Sequence, residues 1–268
     1  MPQSAALRPR AIAPASASAN YLRNALLAVL AFVAMFLLAR SPEAMDLPVM
    51  RVINGLVGRS RVFDTLLFDL DRYATFSGVI LMAIVWGLWL STPGEDARAR
   101  LLIGTLLAFP IGVLSRLLQH LVATHPRPYY DPAVGFHRPA LFTKSVNTWN
   151  SFPSDHATVF GALLLVIWMT RPKLALWAGA WLLTLEFARA YMGAHYPSDI
   201  LGGFALAAAG LSLAQAPPLV ELGRRGLRLE RASPLLFYAL AFLLAYQIAT
   251  LFFDVRDMVG GFALSRLR

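Results

Sequence analysis

Three stretches of the chain, 74–94, 200–220 and 232–253, carry no charged side chain. Each reaches the roughly 20 residues that a helix needs to cross the hydrocarbon of a bilayer. Soluble chains rarely hold three such runs. Composition agrees, with 57% of the 268 residues hydrophobic and 15% charged, against about 25% charged in an ordinary soluble domain. The chain is therefore read as an all-α integral membrane protein. Seven candidate spans emerge, at 21–39, 74–90, 100–122, 155–170, 174–192, 198–214 and 234–253. Pro110 falls inside the third, where a kink is tolerated because neighbouring groups satisfy the freed backbone. Neither an internal repeat nor a second soluble domain is visible.

Charge orients these spans. The formal net charge is +9, and nearly all of the cations are arginines, since Lys144 and Lys173 are the only lysines. In a membrane protein such residues mark cytoplasmic ends, so no nucleic-acid partner is expected. Arg8, Arg10 and Arg23 lie at or before the start of the first span, Arg98 and Arg100 at the start of the third, and Arg171 and Lys173 just before the fifth. Arg224, Arg225, Arg228 and Arg231 precede the seventh. Alternating spans put all four clusters on one side. The opposite, outer side then holds the connections 40–73, 123–154 and 193–197. The first of these mixes apolar and charged residues and is expected to lie over the bundle as short amphipathic helices. Residues 1–20, rich in Ala, Ser and Pro, read as a flexible tail rather than a signal peptide. The tail 254–268 is expected outside. With no cysteine, thiolate metal sites, thiol nucleophiles and disulfides are excluded.

The outer connections carry the chemistry. The third span ends in His120-Leu-Val-Ala-Thr-His125-Pro-Arg127-Pro128. The fourth begins Phe152-Pro-Ser154-Asp155-His156, and the fifth runs out through Arg189 to His195 and Asp199. Between His156 and His195 the chain has room for one span in, a short turn and one span back, so both histidines return to one face. Phosphoryl transfer needs a nucleophile, charge on the equatorial oxygens and a proton for the leaving group. His195 is the candidate nucleophile, with Asp199 four residues on as the acceptor that fixes its tautomer. His156 is the candidate proton donor. Arg127 and Arg189 offer planar forks for phosphate oxygens. Ser154 adds a hydroxyl, and the start of the fourth helix adds free backbone N–H groups.

These residues resemble the phosphatidic acid phosphatase type 2 superfamily. Its pattern is Lys-x6-Arg-Pro, then Pro-Ser-Gly-His, then Ser-Arg-x5-His-x3-Asp. Arg127-Pro128, Pro153-Ser154 with His156, and Arg189, His195 and Asp199 fall at matching spacings. The resemblance implies a six-transmembrane-helix phosphatase core over 21–215. Residues 216–268 then add a basic cytoplasmic linker, a seventh helix and the tail. It implies catalytic His195, His156 and Asp199, phosphate contacts from Arg127, Arg189 and Ser154, and neither cofactor nor metal. His120 stands where the family has lysine and is assigned to the substrate phosphate, with Arg116 one turn earlier and Lys144 as further cations. Asp155 replaces the glycine, and Ala188 the serine before Arg189. The Phe-Pro-Ser-Asp-His-Ala form resembles the branch that hydrolyses undecaprenyl diphosphate. The implied setting is a bacterial inner membrane with the site facing the periplasm, and the partners are the bilayer and a lipid phosphate. Runners-up are phosphatidic acid, phosphatidylglycerol phosphate or lipid A phosphate as substrate, a lipid phosphotransferase, and a lipid-phosphate binder or transporter without turnover.

Other residues read as structural. His125 and His137 are expected as interfacial polar groups. For Arg189 the structural alternative to phosphate binding is snorkelling to the interface, and Glu186, one turn earlier, is expected to pair with it. Asp155 is weighed evenly between a helix cap and a group that steers His156. Tyr129, Tyr130, Tyr191 and Tyr196 are expected in an aromatic belt, and Gly202-Gly203 at a close helix contact.

Overall fold

A computed structural model describes residues 20–137, 149–256 and 258. Most of the N-terminal tail, Lys144 and nearly all of the tail beyond Arg256 lie outside the described residues. Within them there are ten α-helices and no strand. These are α1 Tyr21–Ala39, α2 Asp46–Asn54, α3 Arg61–Arg72, α4 Ile80–Ser91, α5 Glu95–Leu121, α6 Asp155–Thr170, α7 Pro172–Tyr191, α8 Pro197–Leu213, α9 Pro217–Ala232 and α10 Pro234–Ala249. A π-helical turn, Thr75–Val79, leads into α4.

Sequence explains most of the boundaries. Prolines open α7, α8, α9 and α10, where the missing N–H costs nothing because the first turn has no intrahelical acceptor for it. Ser154 caps α6, its Oγ accepting from Ala157 N at 3.2 Å. Asp155 therefore takes the first helical position rather than the cap. Pro110 lies inside α5, which continues through it.

By length and hydropathy, α1 and α5 are each able to cross a bilayer alone. Helix α3 with the π-turn and α4 forms one bent pair, at 71°, and α8 with α9 another, at 77°. Helices α6 and α10 are apolar but only 16 residues long. The seven expected crossings therefore do not resolve into seven full-length helices. The chain is nonetheless a multi-pass membrane protein, and its outward faces suit lipid: Leu26, Leu30 and Leu37 on α1, Trp177 and Leu183 on α7, and Leu235 and Phe242 on α10 are all exposed.

Helix α6 runs through the centre. From Ala157 to Leu163 it is wholly buried, packed between α5, α7 and α8. Small residues set the spacing: a Cβ at Gly203 would lie 2.6 Å from the Ser154 carbonyl oxygen. That contact seats the start of α8 on the start of α6, the close approach expected of the glycine pair. The short helices of the first outer connection pack over the bundle. Leu47 and Met50 of α2 meet Val134, Ala190 and Tyr196, and Leu67 of α3 meets Ala188, Tyr191 and Met192. At the other end, α9 crosses the first turns of α5, tied by Arg98–Glu230 at 2.7 Å and Arg224–Asp96 at 2.8 Å. The basic linker is thus a helix lying across the bundle, opposite the end that gathers the histidines.

Candidate active site

The loop after α5 and the loop before α6 are zipped together. Arg127 N donates to Trp149 O at 3.0 Å, and Ser151 N to His125 O at 3.3 Å. Asn150 fixes the base of this ladder, its Nδ2 donating to Val122 O at 2.7 Å and Gln119 O at 3.0 Å. Arg127 and Ser151 are thereby held side by side under the end of α7. Gly193 makes the turn beyond α7 with φ +70°, and a Cβ there would strike the Phe136 ring at 2.6 Å. That turn closes with Ala194 N donating to Arg189 O at 2.9 Å. The six-residue offset from Arg189 to His195 is the length of this reversal.

His195 is fully buried. Its Nδ1 lies 3.0 Å from the Ser151 carbonyl oxygen, which can only accept, so that nitrogen carries the proton. Its Nε2 lies 3.2 Å from Arg127 Nη1, which can only donate, so Nε2 is the nitrogen that carries the lone pair. Burial, and then the charge of Arg127, pushes the imidazole down to about 4, so it is neutral at physiological pH. Burial likewise brings the Arg127 guanidinium down to about 10, leaving it charged. The same guanidinium donates to Ala194 O at 2.7 Å.

Asp199 stands differently from the expectation. Its Oδ2 is 3.6 Å from His195 Nδ1, longer than the Ser151 contact. It accepts from Tyr196 N at 2.7 Å and, by a short hydrogen bond, from Ser151 Oγ. The aspartate therefore holds Ser151, whose carbonyl in turn holds the histidine. On its far side lies His125, only 5% exposed, with Nε2 at 3.2 Å from Asp199 Oδ1 and Nδ1 at 3.1 Å from Pro126 O. The Asp199 contact is short but out of line for a hydrogen bond. Sequence reading put His125 at the interface. The zipper instead turns it inward, onto the carboxylate and against the Tyr196 ring at 4.8 Å.

His156 opens on the same end of the bundle. Its Nδ1 is 3.1 Å from Asp155 Oδ1, which also accepts from His156 N at 3.0 Å. This geometry favours the steering role for Asp155, and it leaves Nε2 for a substrate. Arg189 is 9% exposed and does not snorkel. Its Nη1 is 2.6 Å from Asp71 Oδ1 of α3, not paired with Glu186, whose buried carboxylate oxygens have no hydrogen-bond partner among the described residues. A cleft lined by Asp71, Ser77, His156, Glu186 and Arg189 lies between these helices. Ser154 is buried with Oγ capping α6, and His120 is exposed on the last turn of α5. Tyr191 and Tyr196 are buried rather than in a belt. Tyr191 OH donates to Leu56 O at 3.2 Å, and Tyr196 OH to Asp131 Oδ2 at 2.6 Å. Asp71, Ser151 and His125 escaped sequence reading because their roles come from loop pairing and from packing of α3, not from motif spacing.

Residues 98–216 match the PAP2 superfamily. The chain carries a PAP2 superfamily domain. Undecaprenyl-diphosphatase of Bacillus subtilis is 26% identical over 163 residues, covering 61% of this chain and 79% of the relative. A putative undecaprenyl-diphosphatase of Escherichia coli is 33% identical over 144 residues, covering 51% and 65%. Lipid A 1-phosphatase of Rhizobium johnstonii is 32% identical over 109 residues, covering 40% and 44%. A solved transmembrane PAP2 type phosphatidylglycerolphosphate phosphatase from B. subtilis has 18% identity and a TM-score of 0.48, covering 71% of this chain and 94% of that one. The PAP2 domain contains Arg127, Ser154, His156, Arg189, His195 and Asp199. It leaves out α3, with Asp71, and everything beyond residue 216.

The inward His125 gives the PAP2 site a pH signature. Burial opposes its charge, but the Asp199 carboxylate outweighs it, and the folded pKa rises above 6.5. Stability from this pair is complete below the unfolded value and fades as pH climbs through the raised one. Asp46, pushed up to about 6 by burial, acts below that window, as does His195, brought down to about 4. Unfolding midpoints measured in detergent from pH 6.5 upward should fall, and His125→Asn should flatten the slope. An unchanged slope in the variant would rule out the pair as its source.

Proposed function

We propose that this PAP2-type lipid phosphatase hydrolyses undecaprenyl diphosphate to undecaprenyl phosphate through a phosphohistidine, at the periplasmic face of a bacterial inner membrane. The observation that carries the mechanism is the neutral His195, with Nδ1 anchored on Ser151 O and Nε2 aimed beside Arg127. In this reading Nε2 attacks the terminal phosphorus. Arg127 and Arg189 gather the equatorial oxygens, with the Ser154 hydroxyl beside them. His156, steered by Asp155, protonates the leaving oxygen and then takes a proton from the water that cleaves the P–N bond. Asp199 acts through Ser151 and so is a positioning residue.

Two features support the substrate and the face. Two of the relatives above are named as undecaprenyl-diphosphatases, and the arginine-rich α9 lies at the end of the bundle away from the histidines. The positive-inside rule makes α9 cytoplasmic and the site external. The test is phosphate release by the detergent-purified chain, with EDTA present, from undecaprenyl diphosphate, phosphatidic acid and phosphatidylglycerol phosphate. EDTA-resistant release that favours the diphosphate is expected. A preference for phosphatidylglycerol phosphate would overturn the substrate, and no release from any lipid by folded protein would overturn the phosphatase.

A further inference from the structure

The helix that the PAP2 domain leaves out returns to the site. Helix α10 starts beside α9, with Tyr238 OH bonded to Glu230 at 2.5 Å, and runs to the opposite end of the bundle, where Ala249 packs on Gly78. There the chain doubles back through Leu251 and Phe252, at φ 52° and 56°. Left-handed backbone is costly for such residues and persists only where surrounding packing dictates it. Phe252 N is held by Gln247 O at 2.7 Å, and its ring packs on Phe109 at 4.7 Å. The reversal brings Arg256 Nη1 to 3.6 Å from Asp155 Oδ2, and Arg116 Nη1 of α5 lies 3.5 Å from the same oxygen. Asp155 thus bridges two guanidinium groups to His156, its other oxygen being the one that faces His156 Nδ1.

We propose that Arg116 and Arg256 form the subsite for the leaving phosphate of a diphosphate lipid. This inference rests on the phosphatase reading and deepens it. One carboxylate faces two arginines, so the cluster keeps an excess positive charge. Both ion pairs are long, and the side chains are 23% and 37% exposed, so they are able to swing onto an incoming anion. Arg116 also donates to Gln119 Oε1 at 2.8 Å and Arg256 to Leu251 O at 3.3 Å.

The chemistry separates two substrate classes. When His195 Nε2 bonds to the terminal phosphorus, the bridging P–O bond breaks and its electron pair stays on the oxygen of the lipid monophosphate. Water then displaces the histidine, releasing inorganic phosphate. The departing monophosphate carries a spread negative charge, which flanking cations stabilise. A lipid monoester instead expels an alkoxide, which chiefly needs the proton from His156. Two arginines beside His156 therefore serve the first case far more than the second.

The experiment compares farnesyl diphosphate with farnesyl monophosphate on the full chain in detergent with EDTA. Arg256→Gln should lower the ratio of diphosphate to monophosphate kcat/KM by roughly tenfold or more, the scale of one charge-assisted contact. Arg256→Lys, which keeps the charge but loses the fork, should recover part of the ratio. Both substrates falling together, or a ratio unmoved in both variants, would overturn the subsite and make Arg256 a structural strut. Wild-type protein inactive on both would instead sink the phosphatase reading itself.

Discussion

Replacing His195 with alanine should remove phosphate release almost entirely, by a factor on the order of 10⁴–10⁶, the scale seen when a nucleophile is deleted. The expectation follows from the environment of Nε2. It is the ring nitrogen whose lone pair is set by both neighbours, Ser151 O fixing the proton on Nδ1 and Arg127 presenting a donor to Nε2. Stopped wild-type reactions should also yield an acid-labile phosphoenzyme that the variant lacks. Since His195 is fully buried, the thermal midpoint must be measured alongside, with His195→Gln as a better-packed second variant. Substantial turnover in folded His195→Gln would end the covalent mechanism.

Asp199→Ala should destabilise the protein by about 3–5 kcal/mol, the range for removing one member of a buried charged pair. Asp199 is fully buried and contacts Ser151 Oγ, Tyr196 N, His195 and His125. Its removal takes away the carboxylate that favours the charged form of His125, a side chain only 5% exposed whose burial opposes that charge, and lets the Ser151 carbonyl drift from His195. The cost should shrink as pH rises, because His125 then sheds its proton. Combined with His125→Asn, the two losses should fall short of their sum, as expected for groups in contact. Strict additivity across the double-mutant cycle would show that the pair is not coupled. Activity should fall as well, since the tautomer of His195, the proposed nucleophile, is held through Ser151.

Much of this was legible because a membrane simplifies the problem. Long charge-free runs declare a helical membrane protein, and the arginine clusters set the ends. The start of α6 at Asp155 and the extent of α1 agree with the sequence reading, because a serine cap and uninterrupted hydropathy fix them locally. Spacing also carries Arg189, His195 and Asp199, since a helix end, a glycine turn and a proline-started helix leave the chain little choice. Span lengths were less legible. Apolarity alone does not reveal the π-turn before α4 or the 77° bend after α8, which arise where backbone meets backbone or a proline starts the next helix.

The sequence by itself determined the class of protein, the end of the bundle that gathers the histidines, and the side chains proposed for phosphoryl transfer. Those follow from local rules: hydropathy, charge at helix ends, and fixed spacings along one helix or turn. Tertiary structure decided who holds whom. Ser151 rather than Asp199 accepts from His195, Asp71 rather than Glu186 pairs with Arg189, His125 turns inward, and Arg256 arrives from the far end of the chain. Each of these contacts joins segments remote in sequence. In a buried site the nearest well-aimed partner wins, and which partner is nearest depends on how loops zip and helices cross, which no local pattern records.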